Sequence, residues 1–416
     1  MKEIIAKWAE RPLWVFGKWL LLSVRMGTIA GLAGTLFHFV LEEAAIFREE
    51  NQWLLFFLPV AGIMIAASYH YLAGEKDKGT NMVLTAVRSN EPMPAVTAPL
   101  IFITTAFTHL CGGSAGREGA ALQLGGSLAS QLGSRLHLDE KDNRVLVMCG
   151  MSAAFSALFG TPVTAAVFSM EMVSVGVMYF SAIVPCMVAS LTGFLVAGAF
   201  GVPPTIFSIT KVPAVNMGSV GLVIVLGVLC AGLSIVFCES MHKSSHYLKK
   251  WFPNIYIRIA VGGCVIIFLT LLEGSGDYNG AGMGIVAAAL AGSALPWAFI
   301  FKIIFTSITL GSGYRGGEIV PVFFTGATFG CVAASFLGLP PGFGAALGLV
   351  ALFCGVTNCP ITSLLLGIEL FGGVGVPFFL VVCAVSYMLS GYYSLYGEQI
   401  IVYSKLKAEF AEIKAR

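Results

Sequence analysis

Apolar positions form long continuous runs along the chain, separated by short polar or glycine-rich stretches. Continuous runs favour helices, whereas the strands of a membrane β-barrel alternate apolar and polar positions. Some runs can cross about 30 Å of hydrocarbon at about 1.5 Å per residue, but others are too short or are interrupted by Gly and Pro. The runs are residues 19–41, 53–73, 94–110, 145–160, 163–200, 217–238, 258–272, 283–310, 319–338, 342–357, 361–372 and 374–392.

The composition indicates that a bilayer surrounds these helices. Hydrophobic residues make up 57% and charged residues 11% of the 416 residues, whereas soluble proteins average about 25% charged residues. A globular core cannot bury so much apolar surface, but a bilayer can accommodate it. We therefore predict an all-α, polytopic membrane protein.

The charges indicate an orientation and argue against nucleic-acid binding, because the net charge is only +2. Basic residues cluster at 243–250 and 404–416, and the positive-inside rule assigns these stretches and the termini to the cytoplasm. Residues 1–18 carry no cleavable signal; they form an amphipathic interfacial helix or lead into the first span. The ten cysteines and six histidines lack metal-ligand spacing, so we predict no metal and no cofactor.

The chain contains two related halves. Gly79 in KGTNMVL and Gly280 in NGAGMGIV are 201 residues apart, and so are Gly116 in GREGA and Gly317 in GEIVP. Each half also has a proline followed nine residues later by a glutamate: Pro162 with Glu171, and Pro360 with Glu369. We predict two structural repeats, residues 20–200 and 217–392, with a transport site at their interface.

Glycine-rich breaks interrupt the apolar runs at GTNMV, GREGA and GGEIVP. A helix that starts after such a break presents unpaired N–H donors and the positive end of its dipole. Several such ends meeting inside the membrane can hold a small anion without a full positive charge. The breaks therefore favour an anion pathway, although cation transporters also have broken helices.

The same breaks resemble motifs of the CLC chloride channels and proton-coupled antiporters. GREGA resembles the GREGP motif, GTNMV stands where the family has GSGIP, GGEIVP stands where it has GxFxP, and SLYGEQI (394–400) resembles the late tyrosine motif. The resemblance implies a single transmembrane domain over 1–416, built from inverted repeats, and a homodimer with one pathway per subunit. It implies a cytoplasmic segment at 397–416, no regulatory domain, and a secondary transporter rather than an enzyme.

The resemblance also assigns roles to the residues of the GREGA motif. Glu118 corresponds to the gating glutamate, whose ionised carboxylate occupies the external anion site and whose protonated form swings away. Gly116 and Gly119 belong to the same motif. The alternative is a structural salt bridge between Glu118 and Arg117, but a charge at this depth costs at least about 2.5 kcal/mol. Arg117 itself is given a supporting, field-setting role.

Departures from the family's motifs indicate which anion the protein carries. Thr80 stands at the position of the chloride-binding serine and is followed by Asn81 and Met82. The GxFxP motif becomes GEIVP, with Ile319, Val320 and Pro321 after a second carboxylate, Glu318. A protonated Glu318 donates a hydrogen bond, which benefits small, charge-dense fluoride most. The pattern resembles the fluoride/proton antiporters of bacteria.

Other candidate residues keep more than one interpretation. Met172 replaces the family's internal proton-transfer glutamate. Either Glu171 or Glu318 takes over the inner proton route, or Glu118 itself reaches inward, and we favour Glu118 with Glu318. Glu171 and Glu369 are predicted mainly to pack helices. Tyr396 lines the anion site or sits in an interfacial belt, with Tyr403 as the alternative if the register differs. Lys302 attracts anions or snorkels to a headgroup.

We therefore predict a fluoride/proton antiporter in the bacterial inner membrane, with a chloride/proton antiporter or a passive CLC anion channel as alternatives. Fluoride is the anion of a weak acid, and the undissociated acid crosses membranes and ionises in the more alkaline cytoplasm. Export driven by inward protons reverses this accumulation. No nucleophile and base typical of an enzyme is recognisable in the sequence.

Overall fold

The computed structural model describes residues 12–74, 79–209 and 211–416, and this part of the chain is mostly helical. The first half contains the helices Pro12–Glu50 (α1), Leu58–Leu72 (α2), Asn81–Ser89 (α3), Thr97–Leu110 (α4), Glu118–Arg135 (α5), Glu140–Phe159 (α6), Pro162–Glu171 (α7) and Ile183–Ala199 (α8). The second half contains Met217–Trp251 (α9), Ile255–Glu273 (α10), Met283–Leu290 (α11), Ala298–Ser312 (α12), Ile319–Leu337 (α13), Pro341–Thr357 (α14), Pro360–Phe371 (α15) and Val376–Leu389 (α16).

The helices of the two halves correspond in order and in length. The long first helix α1 has 39 residues and its counterpart α9 has 35. The shortest pair, α3 and α11, has 9 and 8 residues. Eight described helices in each half, matched in this way, agree with the two repeats predicted from the glycine spacing.

Six helical segments of the described chain are long and apolar enough to cross a membrane. The other helices are shorter, and many are buried between the long ones. This confirms a multi-pass membrane protein. The six segments are Pro12–Glu50, Gln52–Leu72, Phe180–Ala199, Met217–Trp251, Ile255–Glu273 and Ile319–Leu337.

Several helix boundaries differ from the apolar runs. Residues 1–11 lie outside the described residues, and residues 12–18 are the first turns of α1, so no boundary falls at residue 18. The run 163–200 divides into α7 and α8, because the backbone between them forms a strand. The run 283–310 divides into α11 and α12, because Gly292 has a positive φ of 100° and ends α11 there.

The two repeats meet at the glycines that the sequence paired. Gly116 N–H donates to the Gly317 carbonyl at 2.7 Å, and Gly317 N–H donates back to the Gly116 carbonyl at 2.7 Å. The two segments run antiparallel at this bridge. Both positions require glycine, because a Cβ at Gly317 would lie 2.6 Å from the amide nitrogen of Gly119. The bridge brings the starts of α5 and α13 together.

The repeats are also joined by two carboxylates that cap each other's helices. Glu171, at the end of α7, accepts hydrogen bonds from the first turn of α15: Ile361 N (3.1 Å), Thr362 N (2.8 Å) and Thr362 Oγ1 (2.6 Å). Glu369, in α15, accepts from Val163 N (2.9 Å) and Thr164 N (2.7 Å) at the start of α7. Each carboxylate satisfies N–H groups that have no partner within their own helix. These contacts confirm the helix-packing role predicted for the pair.

A small sheet lies beside the helices, which the all-α prediction missed. Its strands are Ser174–Val175 (β1), Ile400–Tyr403 (β2) and Phe410–Lys414 (β3), in the order β1-β2-β3. The β1–β2 pair is parallel and the β2–β3 pair antiparallel. Segment 397–416 is therefore folded against the connection between α7 and α8. Strands of two to five residues give too little alternation to be recognised in a sequence.

Glu398 secures the start of this segment. Its carboxylate accepts from Lys414 Nζ at 3.1 Å and from Arg88 Nη2 at 3.2 Å. The Lys414 hydrogen bond, with that of Arg88, holds the pKa of the Glu398 carboxyl below its usual value. The backbone N–H of Glu398 donates to Asn81 Oδ1 at 3.1 Å, which joins this segment to the start of α3.

We expect the reciprocal caps to stabilise the fold unequally. Glu171→Ala should lower the free energy of unfolding by about 2–3 kcal/mol, because it leaves buried donors without partners. Glu369→Ala should cost less, about 1–2 kcal/mol, because its contacts are fewer and Val163 is exposed. Thermal unfolding of purified protein in detergent measures both. Glu239→Ala is the control; Glu239 pairs with Lys243 on an exposed surface and should change little. Cap variants as stable as this control would contradict the assignment.

Candidate functional site

The carboxylate of Glu118 lies between the starts of two helices from different repeats. Glu118 is the first residue of α5 and its side chain is 0% exposed. Its Oε2 accepts from the N–H of Arg117 at 3.0 Å and from the N–H of Val320, in the first turn of α13, at 3.2 Å. The carboxylate thus occupies a position that suits a small anion, because both helix dipoles present their positive ends there.

The second carboxylate, Glu318, approaches the same place from the other repeat. Glu318 immediately precedes α13, as Arg117 immediately precedes α5, and the two are 201 residues apart. Its Oε2 is buried and has no hydrogen-bond partner among the described residues. A Cβ on Gly119 would lie 3.0 Å from this oxygen and 2.9 Å from Thr80 Oγ1. Glycine at 119 therefore keeps a small space open between the two side chains.

Arg117 is only loosely paired with Glu118. The Arg117 Nε lies 4.0 Å from Glu118 Oε1, which has no hydrogen-bond partner in the described chain. The closest polar contact of the guanidinium is with His38 of α1, at 3.0 Å from Nη1 to Nδ1. The hydrogen bonds of Glu118 come from the backbone, so the structure does not support a tight structural salt bridge as the main role of Glu118.

The residues of the GTNMV break have different environments. Thr80 is buried, and its Oγ1 accepts from Gln123 Nε2 at 3.4 Å, which leaves its own O–H available as a donor. Asn81 Oδ1 accepts from the Glu398 backbone. Met82 is buried, and its sulfur accepts from Thr97 Oγ1 of α4 at 3.9 Å. Thr80 faces Gly119, while the contacts of the other two fasten α3 to its neighbours.

Of the two tyrosine candidates, Tyr396 has the environment of a site residue. It is 1% exposed, its hydroxyl has no partner among the described residues, and it is within electrostatic range of Glu318 and Glu118. This burial contradicts the interfacial-belt alternative. Tyr403 lies in β2, is 50% exposed and packs edge-on against Phe410, which contradicts the alternative register.

A buried glutamine positions the loop that carries Tyr396. Gln399 Nε2 donates to the carbonyls of Met172 and Thr357, each at 2.9 Å. Its Oε1 accepts from Asn358 Nδ2 at 2.9 Å and from Ser394 Oγ at 2.8 Å. All of its polar groups are thereby used, and the loop is fixed to both repeats.

Of the two roles predicted for Lys302, the structure contradicts snorkelling. Lys302 is fully buried in α12, and its Nζ donates to the carbonyls of Tyr278 at 3.1 Å and Gly280 at 2.7 Å. A role in attracting anions stays a prediction. Lys302 holds the glycine-rich break before α11, at the point related by the repeat to the GTNMV break.

Four residues that lie around the site were not predicted from the sequence. Three of them contact its motifs directly: His38 contacts Arg117, His109 Nε2 lies 3.2 Å from the Gly116 carbonyl, and Gln123 contacts Thr80. The fourth is Gln399. The spacing of Gln123 from Glu118 places both near the start of α5, which is a usable signal. The histidines come from other helices, and no spacing along the chain predicts their contacts.

Two comparisons with curated sequences bear on this geometry. The chain is 34% identical to the "Chloride/fluoride channel protein" of Pseudomonas syringae pv. tomato, over 93% of this chain and 87% of that protein. It is 25% identical to the "H(+)/Cl(-) exchange transporter ClcA" of Vibrio campbellii, over 84% of this chain and 81% of that protein.

Solved structures give the same result. A "CLC-type fluoride/proton antiporter" superposes with a TM-score of 0.90 at 31% identity, over 94% of this chain and 99% of that one. A "slow cyanobacterial Cl-/H+ antiporter" has the same fold, with a TM-score of 0.77 at 20% identity, over 89% of this chain and 94% of that one. Residues 61–391 match the family described as "Voltage gated chloride channel". The chain therefore belongs to the voltage gated chloride channel (CLC) family of membrane anion transport proteins, and it is a transporter rather than an enzyme.

Proposed function

We propose that this protein exports fluoride in exchange for protons, with Glu118 as gate and proton carrier and Glu318 as part of the fluoride site. The main support is the position of Glu118, whose carboxylate accepts N–H groups from α5 and α13 at the place suited to an anion. The solved structure named as a fluoride/proton antiporter, at 31% identity, supports the choice of ion, and the 34% identical relative is named for both chloride and fluoride.

The proton changes what Glu118 can do at this position. When ionised, the carboxylate accepts the Arg117 and Val320 N–H groups and blocks the anion. When protonated, it loses most of its attraction to the helix dipoles and can leave the N–H groups to an incoming anion. One side chain therefore alternates between holding a proton and yielding its place to fluoride, which couples the two movements.

Glu318 supplies the selectivity in this scheme. Its buried Oε2 has no hydrogen-bond partner in the described chain and lies beside Gly119, the residue that follows Glu118. We propose that Glu318 carries a proton there, because an ionised carboxylate without a hydrogen-bond donor is costly inside a membrane. A protonated Glu318 is a hydrogen-bond donor, and fluoride, as a compact strong acceptor, gains more from it than chloride.

Two hydroxyl groups can complete the fluoride site. The Thr80 hydroxyl accepts from Gln123 and keeps its hydrogen for another acceptor. The Tyr396 hydroxyl is buried without a partner in the described chain, and a buried polar group in that condition calls for a ligand or water. We propose that both donate to the anion, with Ile319 and Val320 as the apolar and backbone wall. Ligand roles for Asn81 and Met82 stay predictions.

The inner proton route is proposed to use Glu118 and Glu318. Glu171 is the other nearby carboxylate, but both of its oxygens are occupied by the start of α15. Met172 cannot carry a proton. The remaining acidic pair connects the two helix starts without a further titratable group, so a proton can pass between Glu118 and Glu318.

We further propose a homodimer with one pathway per subunit in the bacterial inner membrane, with both termini in the cytoplasm. The basic stretches at 243–250 and 404–416 support this orientation. The alternatives are a chloride/proton antiporter, as the 25% identical relative is named, and a passive anion channel, as the 34% identical relative is named.

Flux from liposomes tests the function directly. Purified protein in vesicles loaded with potassium fluoride or potassium chloride, with valinomycin to carry potassium, should release fluoride faster than chloride and take up protons as it does so. Fluoride and chloride electrodes and the pH of the medium give the three measurements. Equal rates for the two anions would contradict fluoride selectivity, and fluoride release without proton uptake would favour the channel.

We expect Glu118→Gln to abolish proton coupling. The amide keeps the size of the side chain but cannot ionise or carry a proton, so anion release should proceed without proton uptake or stop altogether. The liposome assay measures both. Glu239→Gln, on the exposed surface of α9, is the matched control and should behave as wild type. Proton uptake that persists in proportion to fluoride release in Glu118→Gln would remove the gate assignment.

Glu318 should separate selectivity from proton transfer. Glu318→Ala removes the donor, and the ratio of fluoride to chloride flux should fall about tenfold, the equivalent of one hydrogen bond to a charged group. Glu318→Gln keeps a donor but cannot transfer a proton, so it should retain more selectivity than Ala while turning over slowly. Wild-type ratios and rates in both variants would make Glu318 a bystander.

Gly119→Ala should close the space between the carboxylates. The new Cβ would lie 2.9 Å from Thr80 Oγ1 and 3.0 Å from Glu318 Oε2, and overpacking of this kind costs about 1–3 kcal/mol, so fluoride flux should fall roughly tenfold. Gly232→Ala in α9 is the control, because a Cβ there meets nothing within 4 Å. Full flux in Gly119→Ala would show that the space is not on the pathway.

A further inference from the structure

A cavity of about 440 Å³ lies next to the Glu118 gate without including it. Its walls come from α1, from the ends of α4 and of the loop before α5, and from the loop that leads into α11. Its polar lining includes His38, Glu42, Arg48, Glu49, His109 and Arg117. Glu118 is not part of this lining, and Arg117 is the lining residue whose side chain approaches the Glu118 carboxylate, at 4.0 Å.

A chain of three contacts joins the cavity to the gate. Glu42 is 53% exposed, and its Oε2 lies 3.3 Å from His38 Nε2. His38 Nδ1 lies 3.0 Å from Arg117 Nη1. Arg117 Nε lies 4.0 Å from Glu118 Oε1. The first member is in contact with solvent and the last is the gating carboxylate.

Because it contacts Arg117, neutral His38 must carry its proton on one particular ring nitrogen. A guanidinium has N–H donors and no acceptor, so His38 Nδ1 must accept the hydrogen bond from Arg117. The single imidazole proton is then on Nε2, which faces the Glu42 carboxylate. Neutral His38 therefore holds Arg117 in place, with its charge turned partly away from Glu118.

A second proton on His38 would turn its contact with Arg117 from attractive to repulsive. It would add an N–H at Nδ1 that points at the donors of Arg117, and it would place two positive charges about 3 Å apart. Arg117 must move, and the nearest negative charge available to it is the Glu118 carboxylate. A closer Arg117 stabilises the ionised, blocking form of Glu118.

We propose that His38 is a positioning residue that slows the Glu118 gate, through Arg117, when the solution in the cavity becomes acidic. The inference rests on the proposed gating role of Glu118 and goes beyond it. An imidazole gains a proton when the surrounding solution becomes sufficiently acidic, which gives His38 a chemical means of sensing acid. Acid thus has two opposite effects: it opens the gate by protonating Glu118, and it restrains the gate by protonating His38.

Other charged groups also face His38, and most of them have hydrogen-bond or ion-pair partners of their own. On α1, Arg48 pairs with Glu49 at 3.7 Å. On α4, His109 is held by the Gly116 carbonyl, and Asp277 lies in the opposite loop of the cavity. Lys302 of α12 is bound to two carbonyls.

The two other helices packed on α1 add no charge near His38. α8 has none in its sequence. The charges of α6 are at its start, where Asp142 pairs with Lys18, 20 residues before His38 and roughly 30 Å away along α1.

The test compares anion flux against pH in wild type and His38→Asn. Asparagine has an acceptor close to the Nδ1 position, so it can hold Arg117 at every pH, and it does not titrate. Liposomes with the same pH inside and outside, from 5 to 8, remove the proton gradient and make the orientation of the protein irrelevant. Wild-type flux should pass through a maximum and fall on the acid side. In His38→Asn it should keep rising as the pH falls, to exceed wild type at least about fivefold at the acid end.

Glu42→Gln provides an independent variant. Without the Glu42 carboxylate, a positive His38 is less favourable, so the fall on the acid side should move to lower pH while the maximum flux stays similar. Glu49→Gln, on the same helix and cavity but paired with Arg48, is the matched control and should keep the wild-type profile. His38→Asn and Glu42→Gln profiles that coincide with wild type would overturn the proposal.

The outcome does not depend on which anion is carried. If chloride and fluoride move equally, the fluoride proposal fails, but the pH profile can still be measured with chloride. If Glu118→Gln keeps proton coupling, the gate assignment fails first. If His38→Asn does not fold, as judged by size-exclusion chromatography, the Glu42→Gln profile alone decides.

Discussion

The Gly116–Gly317 hydrogen-bond pair is the contact on which the rest of the site depends. Two backbone segments from opposite repeats exchange N–H and C=O groups there, each at 2.7 Å. This exchange is possible only because neither residue has a side chain, since a Cβ at either position would meet atoms of the other repeat within about 3 Å. The result is that α5 and α13 begin side by side, and two sets of unpaired N–H groups face one small volume inside the membrane. Uninterrupted membrane-spanning helices offer no such place, because their unpaired N–H groups lie at the membrane surface and those within the hydrocarbon are bonded inside the helix.

Three glutamates accept hydrogen bonds from helix starts, and the number of carboxylate oxygens that accept these bonds distinguishes Glu171 and Glu369 from Glu118. Glu171 and Glu369 each bind the start of a helix from the other repeat, and both oxygens of each carboxylate are occupied. Glu118 also binds helix starts, but only through Oε2, while Oε1 has no hydrogen-bond partner in the described chain. A carboxylate with all acceptors used is costly to move, whereas one that is half satisfied can leave with a smaller penalty. The difference supports a fixed cap in two cases and a movable gate in the third.

Site residues could be predicted from the sequence where they lie next to each other in a short motif. The 201-residue spacing identified Gly116 and Gly317 as equivalent positions of the two repeats, and their backbones are hydrogen-bonded to each other in the structure. The departure at Glu318 could be read directly, because a carboxylate beside a helix start is unusual in an apolar chain. Contacts between distant helices were not predictable: His38 reaches Arg117 across 79 residues, and Lys302 turned inward to two carbonyls that no periodicity reveals. The strands β1–β3 were missed because they are too short to show alternation.

The two repeats have similar backbones but carry different side chains at one pair of related positions. Arg117 and Glu318 occupy related positions, each immediately before the helix that starts at the bridge. One repeat therefore presents a cation there and the other presents an acid. The Arg117 guanidinium turns toward His38 and the cavity, while the Glu318 carboxylate turns toward Gly119 and the Glu118 site. Two identical halves would present the same side chain at both helix starts. In this chain one start carries a guanidinium and the other a carboxylate, so the backbone symmetry of the bridge does not extend to the charges around it.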